Sequence, residues 1–77
     1  MFIVAKENLK IPEGWSYFKE FEMAGDQIIP INTMIMAEAC VFFSKEEAAF
    51  AYWRVSQYFY GYRIYPYYIT KGQNIYA

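Results

Sequence analysis

Histidine is absent from this sequence of 77 residues, and cysteine occurs once, at Cys40. Without histidine, the chain lacks the commonest zinc ligand and the commonest general base in proteins. A single cysteine cannot form an intrachain disulfide, which excludes a small secreted scaffold held together by disulfides. The chain also has no glycine-rich phosphate loop, nucleophile elbow or dinucleotide-binding fingerprint. We therefore expect a protein that is not an enzyme and that binds neither a metal nor another cofactor.

Long hydrophobic runs are also missing. The longest segment without a charged residue covers residues 27–37 and contains Pro30 and Asn32, whereas a helix needs about 20 apolar residues to cross a bilayer. The apolar first residues end at Lys6, before reaching the run of about 7–15 residues that is typical of a signal peptide. These absences predict a soluble, cytoplasmic protein that has no membrane partner.

Acidic residues are confined to the first part of the chain. Residues 1–47 hold all eight acids and four lysines, whereas residues 48–77 hold three cations, no acid and eleven of the eighteen aromatic residues. Hydrophobic residues make up 57% of the chain. This is more than one small core hides, because a domain of this size buries only about 60% of its unfolded surface. We therefore expect some apolar surface to face a partner.

The chain is expected to form one domain covering residues 1–77, since its prolines and glycines are dispersed singly and no repeat or linker interrupts it. Alternating or β-branched residues predict five strands, of which the third is an edge strand because it contains Pro30. The strands are predicted over residues 2–5, 15–23, 27–31, 34–43 and 63–70. The odd positions of the second strand are mostly apolar and are expected to share one face: Trp15, Tyr17, Lys19, Phe21 and Met23.

Ser44 and Glu47 have the spacing of a capping box, which starts a helix. We predict a helix over about residues 45–60, followed by Gly61 in a left-handed conformation. A second helix ending just before Ser44 would need a linker that the chain lacks, so residues 34–43 are predicted as a strand, although several of them favour helices. The resulting fold class is α+β: a small two-layer domain with a mainly antiparallel sheet of three to five strands and one helix packed across it.

The predicted helix has two apolar faces. A rotation of about 100° per residue places one stripe against the sheet: Ala48, Ala51, Tyr52, Val55 and Phe59. The opposite face carries the residues that we predict as a protein interface: Phe50, Trp53, Gln57 and Tyr60. Large rigid rings are frequent at binding hot spots. The alternative is that loops or a further strand cover these rings, which would then belong to the core.

These observations predict a non-enzymatic protein–protein interaction module, a small inhibitor or adaptor that binds through an exposed aromatic surface. By analogy alone, and with no residue behind the comparison, such a chain is similar to the small inhibitors that viruses and mobile elements direct at host proteins. The partner is expected to be another protein or a second copy of the chain, because a homodimer would also cover the outer helix face.

A second hypothesis is that the basic, tyrosine-rich part of the chain binds single-stranded nucleic acid. Cations would contact phosphates and rings would stack on bases, through Arg54, Arg63, Tyr65, Tyr67 and Lys71. Three cations are fewer than the six or more contacts of typical phosphate-binding tracks. In the alternative interpretation the tyrosines pack in the core and leave their hydroxyls at the sheet rim.

Glu38 and Cys40 are two further candidates for chemistry. Glu38 is surrounded by apolar neighbours in the sequence, and burial would raise its pKa. Because no base, nucleophile or metal ligand accompanies it, we interpret Glu38 as a carboxylate at a sheet margin or paired with a cation. Cys40 is likewise interpreted as inert core, since a reactive thiolate needs a nearby cation or a helix N-terminus.

Overall fold

The computed structural model of the chain describes residues 1–8, 10, 14–70 and 73–76, with side chains as far as Tyr67. It has one α-helix and an antiparallel sheet, so the predicted α+β class is confirmed. In chain order the elements are β1 (Phe2–Asn8), β2 (Gly14–Ala24), β3 (Gln27–Thr33), a 3-10 turn (Met36–Glu38), α1 (Lys45–Val55), β4 (Arg63–Thr70) and β5 (Gln73–Tyr76). The strands follow the order β3-β2-β1-β4-β5 across the sheet.

β1 is the central strand, with β2 on one side and β4 on the other. β2 and β3 form a hairpin around Gly25 and Asp26, in which Gly25 has a positive φ of 65°. Glycine adopts this backbone conformation without the steric cost that other residues meet. β3 lies at the edge of the sheet, as its Pro30 predicts. The prediction did not include β5.

The helix starts where it was predicted and ends earlier. The Ser44 side chain accepts a hydrogen bond from the Glu47 backbone N–H at 3.2 Å, which caps the first turn. α1 ends at Val55, and the predicted extension to residue 60 is wrong. Residues 56–58 form a tight turn instead, in which the Tyr58 N–H donates to the Val55 carbonyl at 3.0 Å. The Tyr58 hydroxyl also donates to the Ile28 carbonyl of β3 at 3.3 Å.

Gly61 has a positive φ of 89°, but it lies well beyond the end of α1 and does not cap it. Phe59, predicted to lie in the core stripe of the helix, follows the turn and is 41% exposed. Its ring centre lies 6.2 Å from that of Tyr62. Serine, tyrosine and phenylalanine have weaker helix propensities than alanine or leucine, and four of residues 56–60 are of these types, so local propensity does little to extend the helix.

A β-bulge in β2 changes which residues share a face. The register of β2 with β3 shifts between Phe18 and Glu20. An extra residue in one strand reverses the alternation beyond it, so Phe21 lies on the same side as Phe18, and their ring centres are 4.6 Å apart. The prediction that all odd positions of this strand share a face therefore fails after Lys19.

The strand predicted over residues 34–43 is wrong except for one bridge. This segment contains the 3-10 turn Met36–Glu38, and Phe42 then forms a single antiparallel bridge with Phe2 of β1. The Cys40 N–H donates to the Phe18 carbonyl of β2 at 2.9 Å. Residues 39–42 thus run between β1 and β2, at the end where β2 no longer pairs with β1.

The sheet buries apolar side chains on both faces. One cluster lies under α1 and is centred on these residues: Val4, Phe18, Ala48, Ala51, Val55 and Tyr62. The other lies on the opposite face and is centred on Ile3, Ala5, Tyr17 and Tyr67, with Met36, Ala39 and Val41 packed against them. Segment 39–42 contributes to both clusters, because Cys40 and Phe42 face the helix side. The second face is therefore covered by the segment predicted as a strand.

Tyr62 is buried in the cluster under α1. Burial raises the pKa of Tyr62 from its ordinary value of 10.0 to about 12, although a side-chain hydrogen bond with Ser16 partly opposes the shift. The folded state therefore holds the Tyr62 proton more tightly than the unfolded state does. The contribution of the protonated Tyr62 to the free energy of unfolding is complete below pH 10 and is lost as the pH rises toward 12.

We predict that Tyr62→Phe reduces the loss of stability at alkaline pH, because phenylalanine has no proton to lose. The free energy of unfolding, measured by urea titration from pH 8 to pH 11.5 (about the range of the shift), should fall more steeply in the wild type than in the variant. The two proteins differ at this position alone, so the difference between their pH slopes reports on the Tyr62 hydroxyl. Equal pH slopes would contradict the burial of the Tyr62 hydroxyl.

Candidate protein-binding surface

The outer face of α1 carries a shallow groove of about 430 Å³, which we call the α1 groove. It is lined by Glu46, Ala49, Phe50, Trp53, Arg54 and Gln57. Three of the four residues predicted as a protein interface, Phe50, Trp53 and Gln57, are therefore brought together on one surface. The rings of Phe50 and Trp53 are each 72% exposed, so no loop or further strand in the described part of the chain covers them.

The helix places its small residues inward and its large rings outward. Ala48 and Val55 are fully buried and Ala51 is 2% exposed, so short side chains face the sheet. Short side chains allow the helix backbone to approach the sheet closely. Phe50 and Trp53 lie on the opposite side, because they are displaced from the buried stripe by the rotation of the helix. The exposure of the two rings thus follows from the spacing of the alanines.

Tyr60 does not lie on this surface. It is 95% exposed, but it follows the end of α1 and lines a different groove, next to Gly61. The predicted interface treated residues 45–60 as one helix, but α1 ends at Val55 and the turn that follows separates Tyr60 from the α1 groove. The four predicted interface residues therefore divide into three in the α1 groove and one outside it.

The second groove, which we call the basic groove, has a volume of about 470 Å³. It is lined by three cations, two tyrosines and three other residues: Lys6, Lys10, Arg63, Tyr60, Tyr65, Glu7, Asn8 and Gly61. The Lys6 ammonium donates to the Tyr60 carbonyl at 3.2 Å and lies 5.7 Å from the centre of the Tyr62 ring. These contacts hold one cation of the groove close to the sheet.

The residues of the nucleic-acid hypothesis are not all brought together. Arg63 and Tyr65 line the basic groove, while Arg54 lines the α1 groove. Tyr67 is 4% exposed and belongs to the core, and Lys71 lies outside the described residues. The Tyr65 ring packs edge-on against Trp15, with centres 5.3 Å apart.

Sequence reasoning missed Lys6 and Lys10, the two other cations of the basic groove. Both lysines belong to residues 1–47, which have a net negative charge, and the basic surface was therefore predicted only within residues 48–77. The alternation of β1 places Lys6 on the side of buried Val4, near the Tyr62 ring, and does not by itself indicate a groove shared with Arg63. Nothing in the sequence indicated that β4 pairs with β1 and brings Arg63 opposite Ala5.

Glu38 and Cys40 have structural partners. The Thr33 hydroxyl donates to the Glu38 carboxylate at 2.9 Å, and the Lys19 ammonium lies 3.6 Å from the same oxygen. Glu38 is thus paired with a cation, as interpreted from the sequence. The Cys40 thiol is half-buried, and burial raises its pKa. This keeps the thiol protonated, which agrees with an inert core position.

Comparisons with protein-family models, curated proteins and solved structures gave no match. Within residues 1–8, 10, 14–70 and 73–76, no group of three or more acids or cysteines is placed to hold a metal ion. No helix in the described part of the chain combines the length and the apolar character that crossing a membrane requires. The functional interpretation therefore rests on the two grooves.

The opposite placement of Trp53 and Val55 leads to a stability prediction. Trp53→Ala removes a ring that is 72% exposed, and we expect the free energy of unfolding to change by no more than about 0.5 kcal/mol. Val55→Ala removes two buried methyl groups and should cost about 2 kcal/mol. Urea denaturation of both variants at pH 7 measures the two values. A loss for Trp53→Ala as large as that for Val55→Ala would show that the ring belongs to the core.

Proposed function

We propose that this protein is a binding module that recognises another protein chain through the α1 groove. The observation that carries the proposal is the outward placement of Phe50 and Trp53, each 72% exposed on one face of a helix. Exposed single apolar residues are common on protein surfaces, but adjacent large rings with a polar rim are typical of interfaces. Burial of the two rings by a partner would supply most of the binding free energy.

The rigidity of α1 supports this proposal. Its inner residues Ala48, Ala51 and Val55 are buried, and Ser44 caps its first turn. The two rings are thus carried by a helix that is already fixed on the sheet. Because little backbone order has to be gained on binding, less of the interaction free energy is lost to conformational entropy.

The polar rim defines the kind of partner surface. Glu46 and Arg54 lie at opposite ends of the α1 groove, with Gln57 beside the basic end. A suitable partner surface offers apolar side chains at its centre and a cation and an anion at its two ends. Occupying such a surface requires no chemical step, which is the mode of action of an inhibitor or an adaptor.

Trp53→Ala is expected to weaken binding strongly while the domain remains folded. Removal of a central hot-spot ring costs about 2 kcal/mol or more, which is roughly 30-fold in Kd. The partner is first captured from the native host with the wild-type protein as bait and identified by mass spectrometry. Its affinity for the wild type and the variant is then measured with purified components.

Phe43→Ala is the matched control for this experiment. Phe43 is 77% exposed but does not line the α1 groove, so its removal tests whether any exposed ring would give the same effect. Binding that is insensitive to Trp53→Ala, or equally sensitive to Phe43→Ala, would contradict the assignment of the α1 groove as the interface.

A second candidate function is the binding of a single-stranded nucleic acid in the basic groove. The observation that favours it is that Lys6, Lys10 and Arg63 line one groove with Tyr60 and Tyr65, and that these three cations outnumber its single acid, Glu7. Each of the three cations can contact one phosphate, and the exposed Tyr60 ring offers a stacking surface for a base. This set replaces the one predicted from the sequence, because Arg54 and Tyr67 lie elsewhere.

Arg63→Ala should weaken oligonucleotide binding, whereas Arg54→Ala should leave it unchanged, because only Arg63 lines the basic groove. Fluorescence titration of both variants at about 50 mM salt measures this, since electrostatic binding is strongest at low ionic strength. The wild type should show a log–log salt slope of about −2, given −0.7 per neutralised phosphate. Absence of binding by the wild type at this salt concentration would eliminate the second candidate.

A further inference from the structure

We propose that the partner of the α1 groove is the α1 groove of a second copy, packed antiparallel about a two-fold axis. This inference rests on the proposed function, since it uses the same surface, and adds the identity of the occupant. It is carried by two properties of the groove: its residues have the spacing of a helix-packing stripe, and its charges complement those of an identical groove that runs in the opposite direction.

The spacing concerns Glu46, Phe50 and Trp53 of α1, which are separated by four and three residues, while Gln57 follows in the turn after the helix. This is the repeat that keeps side chains on one side of a helix facing a neighbouring helix. In an antiparallel pair of such helices, Phe50 lies opposite the partner's Trp53, and by symmetry Trp53 lies opposite the partner's Phe50. The two largest exposed rings of each copy would therefore cover each other.

The charges fit the same arrangement. Glu46 lies in the first turn of α1 and Arg54 in the last turn, and both line the groove. When Phe50 lies opposite the partner's Trp53, Glu46 is displaced from the partner's Arg54 by three residues, about 4.5 Å along the helix axis. Long side chains span this distance. A parallel arrangement would instead bring like charges together at both ends.

The size of the groove predicts a weak dimer. α1 has eleven residues and is about 16 Å long, so it contributes less than the roughly 800 Å² per partner of a standard stable interface. The aromatic centre compensates in part, because each such side chain buries about 150–250 Å² when fully covered. We expect monomer and dimer to exchange, with a Kd in the micromolar range.

Charge reversal tests the antiparallel pairing. Glu46→Lys alone and Arg54→Glu alone each place like charges at both ends of a homodimer, and each should raise the dimer Kd by about tenfold or more. The chain that carries both substitutions restores opposite charges at both ends and should regain the wild-type Kd. An equimolar mixture of the two single variants should form a heterodimer of the same affinity. Sedimentation velocity over a concentration series measures all four cases.

Glu22→Lys is the matched control, because it changes the charge equally at an exposed position of β2 outside the groove; it should leave the dimer Kd unchanged. Circular dichroism checks the fold of each variant. Should a charge variant fail to fold, two measurements remain: Trp53→Ala should abolish the dimer, and wild-type dimerisation should weaken as salt is raised.

A wild type that stays monomeric at high micromolar concentration overturns the inference, as does a double variant that remains as weak as the single variants. Either result leaves the proposed function to its own test, because a different partner can still depend on Trp53. Conversely, a host partner that is insensitive to Trp53→Ala would contradict the proposed function without affecting the measured dimer.

Discussion

Residues 39–42 fill the gap that opens where β2 separates from β1, and the position of every later element depends on this passage. The Cys40 N–H bonds to Phe18 of β2, and Phe42 bridges to Phe2 of β1. Side chains that alternate along this short extended stretch enter the clusters on both faces of the sheet. The chain therefore leaves β3 on one face, crosses between two strands and emerges on the other face, where α1 begins. The helix lies against β1 because its leading segment is hydrogen-bonded there.

The two grooves are consequences of how this small domain divides its apolar residues. A domain of 77 residues has a limited interior, and α1 fills its share of that interior with Ala48, Ala51 and Val55. Close packing by small residues leaves no inward space for Phe50 and Trp53. The helix thus packs its smallest side chains in the core and leaves its largest ones exposed. The residues that maintain the fold are therefore different from those assigned to binding.

Local signals in the sequence identified most elements of this fold. The Ser44 and Glu47 spacing located the start of α1, and the β-branched and aromatic residues located β4. The predictions failed where tertiary contacts overrode local preference. The Ile, Val and Phe residues of segment 34–43 favour a strand, yet this segment pairs at one bridge only, since its amides bond to two different strands. The bulge in β2 has no glycine or other local mark in the sequence around Lys19.

The candidate surface was predictable to the extent that it depends on helix rotation. Phe50 and Trp53 lie on one face of any helix that starts after Ser44, whatever the sheet looks like. The predicted helix was too long, and for this reason Tyr60 was placed on the same face. The end of α1 depends on contacts between the following turn and β3, among them the Tyr58 hydrogen bond, which the sequence does not show. The basic groove was not predictable, because it exists only through the pairing of β1 with β4.

This pairing joins parts of the chain that are 58 to 64 residues apart, from Ala5 with Arg63 to Phe2 with Pro66. Closing so long a loop costs conformational entropy before any contact repays it. The hairpin of β2 and β3 can form locally, but β1 has no second neighbour, and α1 has no complete sheet to pack on, until β4 arrives. Folding of this domain is therefore expected to be all-or-none, with the pairing of β4 to the central strand β1 as a late step. The basic groove does not exist before β1 pairs with β4, so a ligand of this groove binds the native state alone and stabilises the whole domain.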